Sequence, residues 1–186
     1  EANNIRRNSN INPYWVVSNS SKVHRMIQKS NQRQDVENIA TYEFSTLYTN
    51  IPHKKLNARM TSVVSTAFED VINMINYHID NVYVTCGDSL YMQKIGIPMG
   101  TDCAPFLANL FLYSYEYEWM MKMKVEDPII ARKFNHSTRY IDDLLTLNND
   151  GPMKKYMSEM YPKELELKHE NEDDEHEATY LVLKRK

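Results

Sequence analysis

Residues 1–40 are polar, rich in Asn, Ser and Gln, with a short apolar knot at Tyr14-Trp15-Val16-Val17. That pattern specifies no compact element, so a partial subdomain is expected there. Ile39 to Leu47 alternates loosely between apolar and polar positions, and Tyr42, Phe44 and Thr46 favour extended structure. A strand is expected, ended by Ile51-Pro52, because proline lacks a donor and disfavours helix at the residue before it. Met60, Val63, Val64, Ala67, Val71, Met74, Ile75, His78 and Ile79 recur at three- and four-residue steps, the stripe of one amphipathic helix. Val82 to Cys86 and Ser89 to Gln93 face each other across Gly87-Asp88, a hairpin signal. Ala104 to about Lys124 fills a helix, with Thr101 or Asp102 to cap it and Pro105 in its first turn. Apolar residues surround much of that helix, so it is expected to be mostly buried. Pro128 breaks the pattern, and Ser137 to Leu147 reads as a second hairpin with Asp142-Asp143 at or beside its tip. A short helix over Met153 to Met160 and strands at Leu165-Glu-Leu167 and Tyr180 to Leu183 complete the chain.

Strand, helix, hairpin, helix, hairpin, short helix, strand is the order of an α+β fold, an antiparallel sheet with helices packed on one face. At 186 residues, 42% of them hydrophobic and 11% aromatic, the chain fits one domain with a core of its own. No run approaches the ~20 apolar residues that cross a bilayer, so no membrane span is expected. The opening, Glu1-Ala-Asn-Asn-Ile-Arg-Arg7, has neither an initiator Met nor an apolar signal core, and the chain is expected to be part of a longer one. Cys86 and Cys103 lie far apart with no metal-ligand spacing. They fit an intracellular setting, nuclear or cytoplasmic, with both thiols buried or inert.

Charge changes the picture only through its distribution. The net charge is −3, but residues 164–177 hold eight acids against Lys168 and carry −7, leaving +4 on the rest. The first 35 residues supply Arg6, Arg7, Lys22, Arg25, Lys29 and Arg33 against Glu1 and Asp35. This is a modest footprint for phosphate binding, and the acidic run reads as a solvated loop.

Three features carry candidate chemistry. Asp142 and Asp143 are adjacent carboxylates among Tyr140, Ile141, Leu144 and Leu145, where an unpartnered charge is costly. A turn projects both from the sheet edge, as hard oxygen ligands suited to Mg²⁺; an ordinary Asp-rich hairpin turn is the alternative. Gly96-Ile-Pro98-Met-Gly100 stands directly before a helix start, where glycine admits a close neighbour and a helix N-terminus favours phosphate. Gln93 lies just upstream, with an amide for a base or sugar. A purely structural strand-to-helix turn fits the same residues. Glu43 places a third carboxylate on a strand, with Tyr48 five residues later near that strand's end; a surface glutamate is its plain alternative.

In this order the three features resemble the palm motifs of reverse transcriptases. Phe44-Ser-Thr-Leu-Tyr-Thr-Asn-Ile-Pro-His53, Gly96-Ile-Pro-Met-Gly-Thr-Asp-Cys-Ala-Pro105 and Phe111-Leu-Tyr-Ser-Tyr-Glu116 look most like Penelope-like and related animal retroelement polymerases. The resemblance runs from about Thr41 to Leu183. It implies residues 1–40 as partial fingers or an N-terminal extension, and 41–186 as a palm without a complete thumb. It further implies two Mg²⁺ ions on Glu43, Asp142 and Asp143. Phe44, Tyr48, Gln93, Gly96, Pro98 and Gly100 would touch the nucleotide, Tyr48 by excluding a 2′-hydroxyl. Lys168 would serve as a proton donor to pyrophosphate. RNA template, DNA primer and deoxynucleoside triphosphates are the implied partners, joined by two-metal phosphoryl transfer.

The sequence departs from the family at Glu43, where the family carries Asp; the extra methylene moves the carboxylate by over ~1 Å, and such a displacement can cost about 100-fold in rate. Val182 likewise stands where the family usually has Asp. Two other readings stay open: a catalytically inactive palm that binds nucleic acid or a protein partner, and a non-polymerase Mg²⁺-dependent phosphotransferase using the same three carboxylates.

Overall fold

The computed structural model describes residues 14–33, 36–63, 69–170, 178–180 and 183–185. Arg6, Arg7, Asp35, Val64, Ala67, Val182 and five acids of the acidic run (Glu172, Asp173, Asp174, Glu175 and Glu177) lie outside the described residues.

The centre is a four-stranded antiparallel sheet in the order β4-β5-β1-β6. Its strands are β1 (Ile39–Phe44), β4 (Ser137–Tyr140), β5 (Asp143–Leu147) and β6 (Leu167–His169). Successive side chains of a strand point to opposite faces. Ala40, Tyr42 and Phe44 of β1 and Leu144 of β5 therefore face the larger core, with Leu107, Phe111, Trp119 and Met120 of α5 (Ala104–Glu126). Ile39, Leu145 and Leu147 face the other way, onto Val17, Tyr180 and Val23 of α1 (Ser20–Arg33). The mixed α+β, antiparallel architecture is the expected one, and α1 adds cover on the second face.

Strand β1 stops at Phe44, shorter than the alternation through Leu47 suggests. Leu47–Asn50 forms a helical turn, α2, whose Leu47 is buried. Helix starts again immediately after Pro52, as α3 (His53–Val63). The long apolar stripe is not one rod. It runs through α3 and α4 (Glu69–Asp80), two segments that pack on each other. Hairpin β2–β3 (Tyr83–Cys86, Ser89–Met92) forms as expected around Gly87, whose φ is +59°. Every residue of its two strands is exposed, so Cys86 is a free, exposed thiol rather than a buried one.

Helix α5 has neither Thr101 nor Asp102 at its cap; Cys103 occupies that position with no side-chain bond to the helix, and the Thr101 hydroxyl donates instead to the Pro98 carbonyl at 2.9 Å. Ten of its 23 residues are buried, while Phe106, Met121 and Val125 are exposed, so it is one-sided rather than mostly enclosed. Pro128 opens a helix as well as closing one. Asp127 caps α6 (Pro128–Lys133) by accepting from the Ile129 and Ile130 amides, both at 3.1 Å. Helix α7 spans Asp150–Met160. The strand expected from Leu165 begins two residues later, since Leu165 is itself buried in the core. Near the C-terminus β7 (Ala178–Tyr180) and β8 (Leu183–Arg185) pair, among the described residues, only with each other.

Candidate active site

The register sets the site. On the central strand Glu43 lies directly opposite Asp143 of β5 on one side and Lys168 of β6 on the other, and Asp143 is also opposite Tyr140. Directly opposed residues share a face. Asp143, Glu43 and Lys168 thus form a row on the second face, at the end that Ile39, Leu145 and Leu147 do not fill. Asp142 sits in the turn between β4 and β5, its carbonyl accepting from the Phe44 amide at 3.0 Å.

The carboxylates feel one another. Burial, then the charges of Asp142, Glu170 and Glu43, push the Asp143 carboxyl up to about 6. Glu170 is raised as well, by burial and then by Glu43 and Asp142. Tyr48 is raised by burial and next by Asp142, so it stays a protonated phenol at neutral pH. No local signal marks Glu170: it lies in a run of acids whose pattern predicts a solvated loop. Its amide donates to the Thr41 carbonyl at 2.9 Å, which anchors it at the end of β6. Glu164, from the same run, pairs with Lys55 at 2.6 Å.

Tyr48 and the glycine turn are joined through the backbone. The Ile97 amide donates to the Tyr48 carbonyl at 2.6 Å, and the Gly96 amide to the Ile51 carbonyl at 2.9 Å. A Cβ on Gly96 would stand 2.6 Å from the Tyr48 carbonyl oxygen and 2.9 Å from that of Thr49, and φ at Gly96 is +89°. Only glycine fits this approach. His53 Nε2 lies 2.7 Å from the Gly96 carbonyl oxygen and its Nδ1 is 3.5 Å from Asp80, which ties the turn to α3 and α4. Pro98 is half-buried, and Gly100 is open, with nothing within 4 Å of its would-be Cβ.

Two expected site residues are placed otherwise. Phe44 is buried, on the opposite face from Glu43, edge-to-face with Tyr161 at 4.8 Å. Its side chain is core, and it reaches the site only through its amide on Asp142. Gln93 turns its amide onto the Ile95 carbonyl at 2.9 Å, at the base of the exposed hairpin.

Behind the turn, on the core side, Arg139 is fully buried and pairs with the equally buried Glu116 of α5, Nε to Oε1 at 2.5 Å and Nη2 to Oε2 at 3.1 Å. The Tyr161 hydroxyl donates to Glu116 Oε1 at 3.0 Å. This group too was missed by sequence reading; its one visible signal is a charged residue between the apolar positions of a strand.

Among the described residues, no three Asp, Glu, His or Cys side chains converge tightly enough to enclose a metal ion as they stand. In chemistry the donor set still suits Mg²⁺: hard carboxylate oxygens whose mutual repulsion, visible at Asp143, a divalent cation would relieve.

No protein-family model matches the chain, and no curated protein does. In fold it is similar to solved structures of telomerase from Candida tropicalis. Apo telomerase truncated from its C-terminal domain aligns with a TM-score of 0.60 at 11% identity, over 91% of this chain and 39% of that one. Apo telomerase gives 0.60 at 12% identity, over 98% and 38%. Telomerase in complex with a TWJ fragment of telomeric RNA gives 0.58 at 13% identity, over 92% and 33%. The likeness is one of fold alone. The chain spans less than two fifths of the length of these telomerase chains.

Proposed function

We propose that this chain is the palm of a reverse transcriptase, which adds deoxynucleotides to a primer 3′-hydroxyl on an RNA template. One observation carries the reading: Glu43 opposes Asp143, Asp142 acts on Tyr48, and Tyr48 is bonded to the Gly96 turn, so three separate motifs meet at one end of one sheet. In this reading Glu43, Asp142 and Asp143 hold two Mg²⁺ ions, with Glu170 adding negative charge beside them. When bound, such ions neutralise the charge that develops during phosphoryl transfer. Tyr48 excludes a 2′-hydroxyl, the Gly96–Gly100 turn lines the nucleotide cleft, and Lys168, beside Glu43, supplies a proton to the leaving pyrophosphate. The wording of the motifs supports the finer reading of a Penelope-like retroelement polymerase working inside the cell.

A second reading, an inactive palm that binds nucleic acid or a protein, is favoured by Glu43 in place of Asp and by the open spacing of the acids. Primer extension on a primed RNA template separates the two. Mg²⁺-dependent extension lost in Asp142→Ala supports the polymerase. Binding of the primed template without extension, by the wild type and by Glu43→Asp alike, supports the inactive module.

A further inference from the structure

The turn that carries Asp142 contains a conformation that needs holding. Ile141 has φ +54°, the left-handed region that a β-branched residue rarely enters. Such a residue persists only where its surroundings over-determine it. Two bonds do so here. Arg139 Nη1 donates to the Ile141 carbonyl at 2.7 Å, and the Phe44 amide donates to the Asp142 carbonyl at 3.0 Å. These carbonyls belong to the two peptide units on either side of Asp142. With both planes pinned, the direction of its Cα–Cβ bond is fixed.

We propose that Arg139 is a positioning residue, which sets the aim of the Asp142 carboxylate by clamping the Ile141 carbonyl from the core side. That Asp142 binds metal rests on the polymerase reading; the clamp itself does not. Pairing with Glu116 alone would use only Nε and Nη2. The remaining nitrogen reaches both Asn109 Oδ1, at 2.7 Å, and Ile141. The backbone of Arg139 is held as well, its amide donating to the Trp15 carbonyl and its carbonyl accepting from the Val17 amide, both at 2.9 Å. Glu116 is steadied by the Tyr161 hydroxyl. A planar fork can serve Glu116, Asn109 and Ile141 at once, whereas a lysine ammonium in the same place can keep the ion pair but cannot span all three.

Two substitutions separate clamping from bulk stability. Arg139→Lys keeps the charge and loses the reach to Ile141. Glu116→Gln keeps an acceptor for the guanidinium and leaves the bond to Ile141 in place. Hydrogen exchange on the whole chain is the structural readout. In Arg139→Lys, residues 140–144 should exchange about tenfold faster than global destabilisation accounts for, and in Glu116→Gln they should not. Mn²⁺ affinity, measured with Mn²⁺ alone, should fall about tenfold in Arg139→Lys and stay near wild type in Glu116→Gln. If residues 140–144 stay protected in Arg139→Lys, or if both variants shift them only in proportion to lost stability, the clamp is refuted. A wild-type chain that binds no Mn²⁺ would sink the polymerase reading, and the exchange comparison would still decide the clamp.

Discussion

The sheet carries two groups of charges that obey opposite rules. On its core face Arg139 and Glu116 are fully buried, and each side-chain nitrogen and oxygen of the pair has a partner. At the end of its other face Glu43, Asp142, Asp143 and Glu170 crowd together, and burial, then like charge, pushes Asp143 up to about 6 and raises Glu170. One group is arranged for a unique fold; in the other, like charges oppose one another. Acids that repel one another at the end of a sheet, in front of a buried pair whose bonds are all made, are the arrangement that the proposed cation site calls for.

Breaking the paired group should have the largest effect. Glu116→Ala leaves a buried guanidinium without its counter-ion and should destabilise the fold by roughly 3–5 kcal/mol, read by denaturant unfolding. Next comes the link between motifs. Gly96→Ala forces a Cβ onto the Tyr48 carbonyl at a positive φ and should cost about 1–3 kcal/mol, with displacement of Tyr48 visible by NMR.

Relieving the crowded group should do the reverse. Asp143→Asn should raise stability at pH 7 by about 1 kcal/mol after solvent screening is allowed for. Between the ordinary carboxylate range and about 6, folded Asp143 keeps a proton that the unfolded chain has lost. Its contribution to stability therefore falls as pH rises through that window. The gap between Asp143→Asn and wild type should close as pH is lowered through about 6, in thermal melts without divalent ions. The smallest structural effect is expected from Tyr48→Ala. In a chain that polymerises, that change should let ribonucleotides in more readily with little change in stability, as paired dNTP and rNTP incorporation assays would show.

Much of this arrangement is legible in the sequence, because local signals agree with the fold. The Gly87-Asp88 hairpin, the helix from Ala104 and the Asp142-Asp143 turn each follow from turn chemistry or periodicity. The sequence misleads where a tertiary contact overrides a local pattern. Phe44 is a nucleotide contact only by resemblance; adjacent strand residues face opposite ways, and its side chain is core. α1 went unread because its buried Val23 and half-buried Met26 and Ile27 are few among polar residues. Glu170 lies in an acidic run, and only the bond from its amide to the Thr41 carbonyl, at the end of β6, brings it beside β1. Arg139 and Glu116 are 23 residues apart, and nothing local announces that they meet.

The central claim is that Glu43, Asp142 and Asp143 together form a divalent-cation site. Calorimetric titration of Mg²⁺ near pH 6, in two buffers of different ionisation enthalpy, tests it most directly. Binding should release protons, because Asp143 is partly protonated there, and both the binding and the proton release should vanish in Asp142→Asn. An absence of Mg²⁺ binding by the wild type, or equal binding by Asp142→Asn, would contradict the claim.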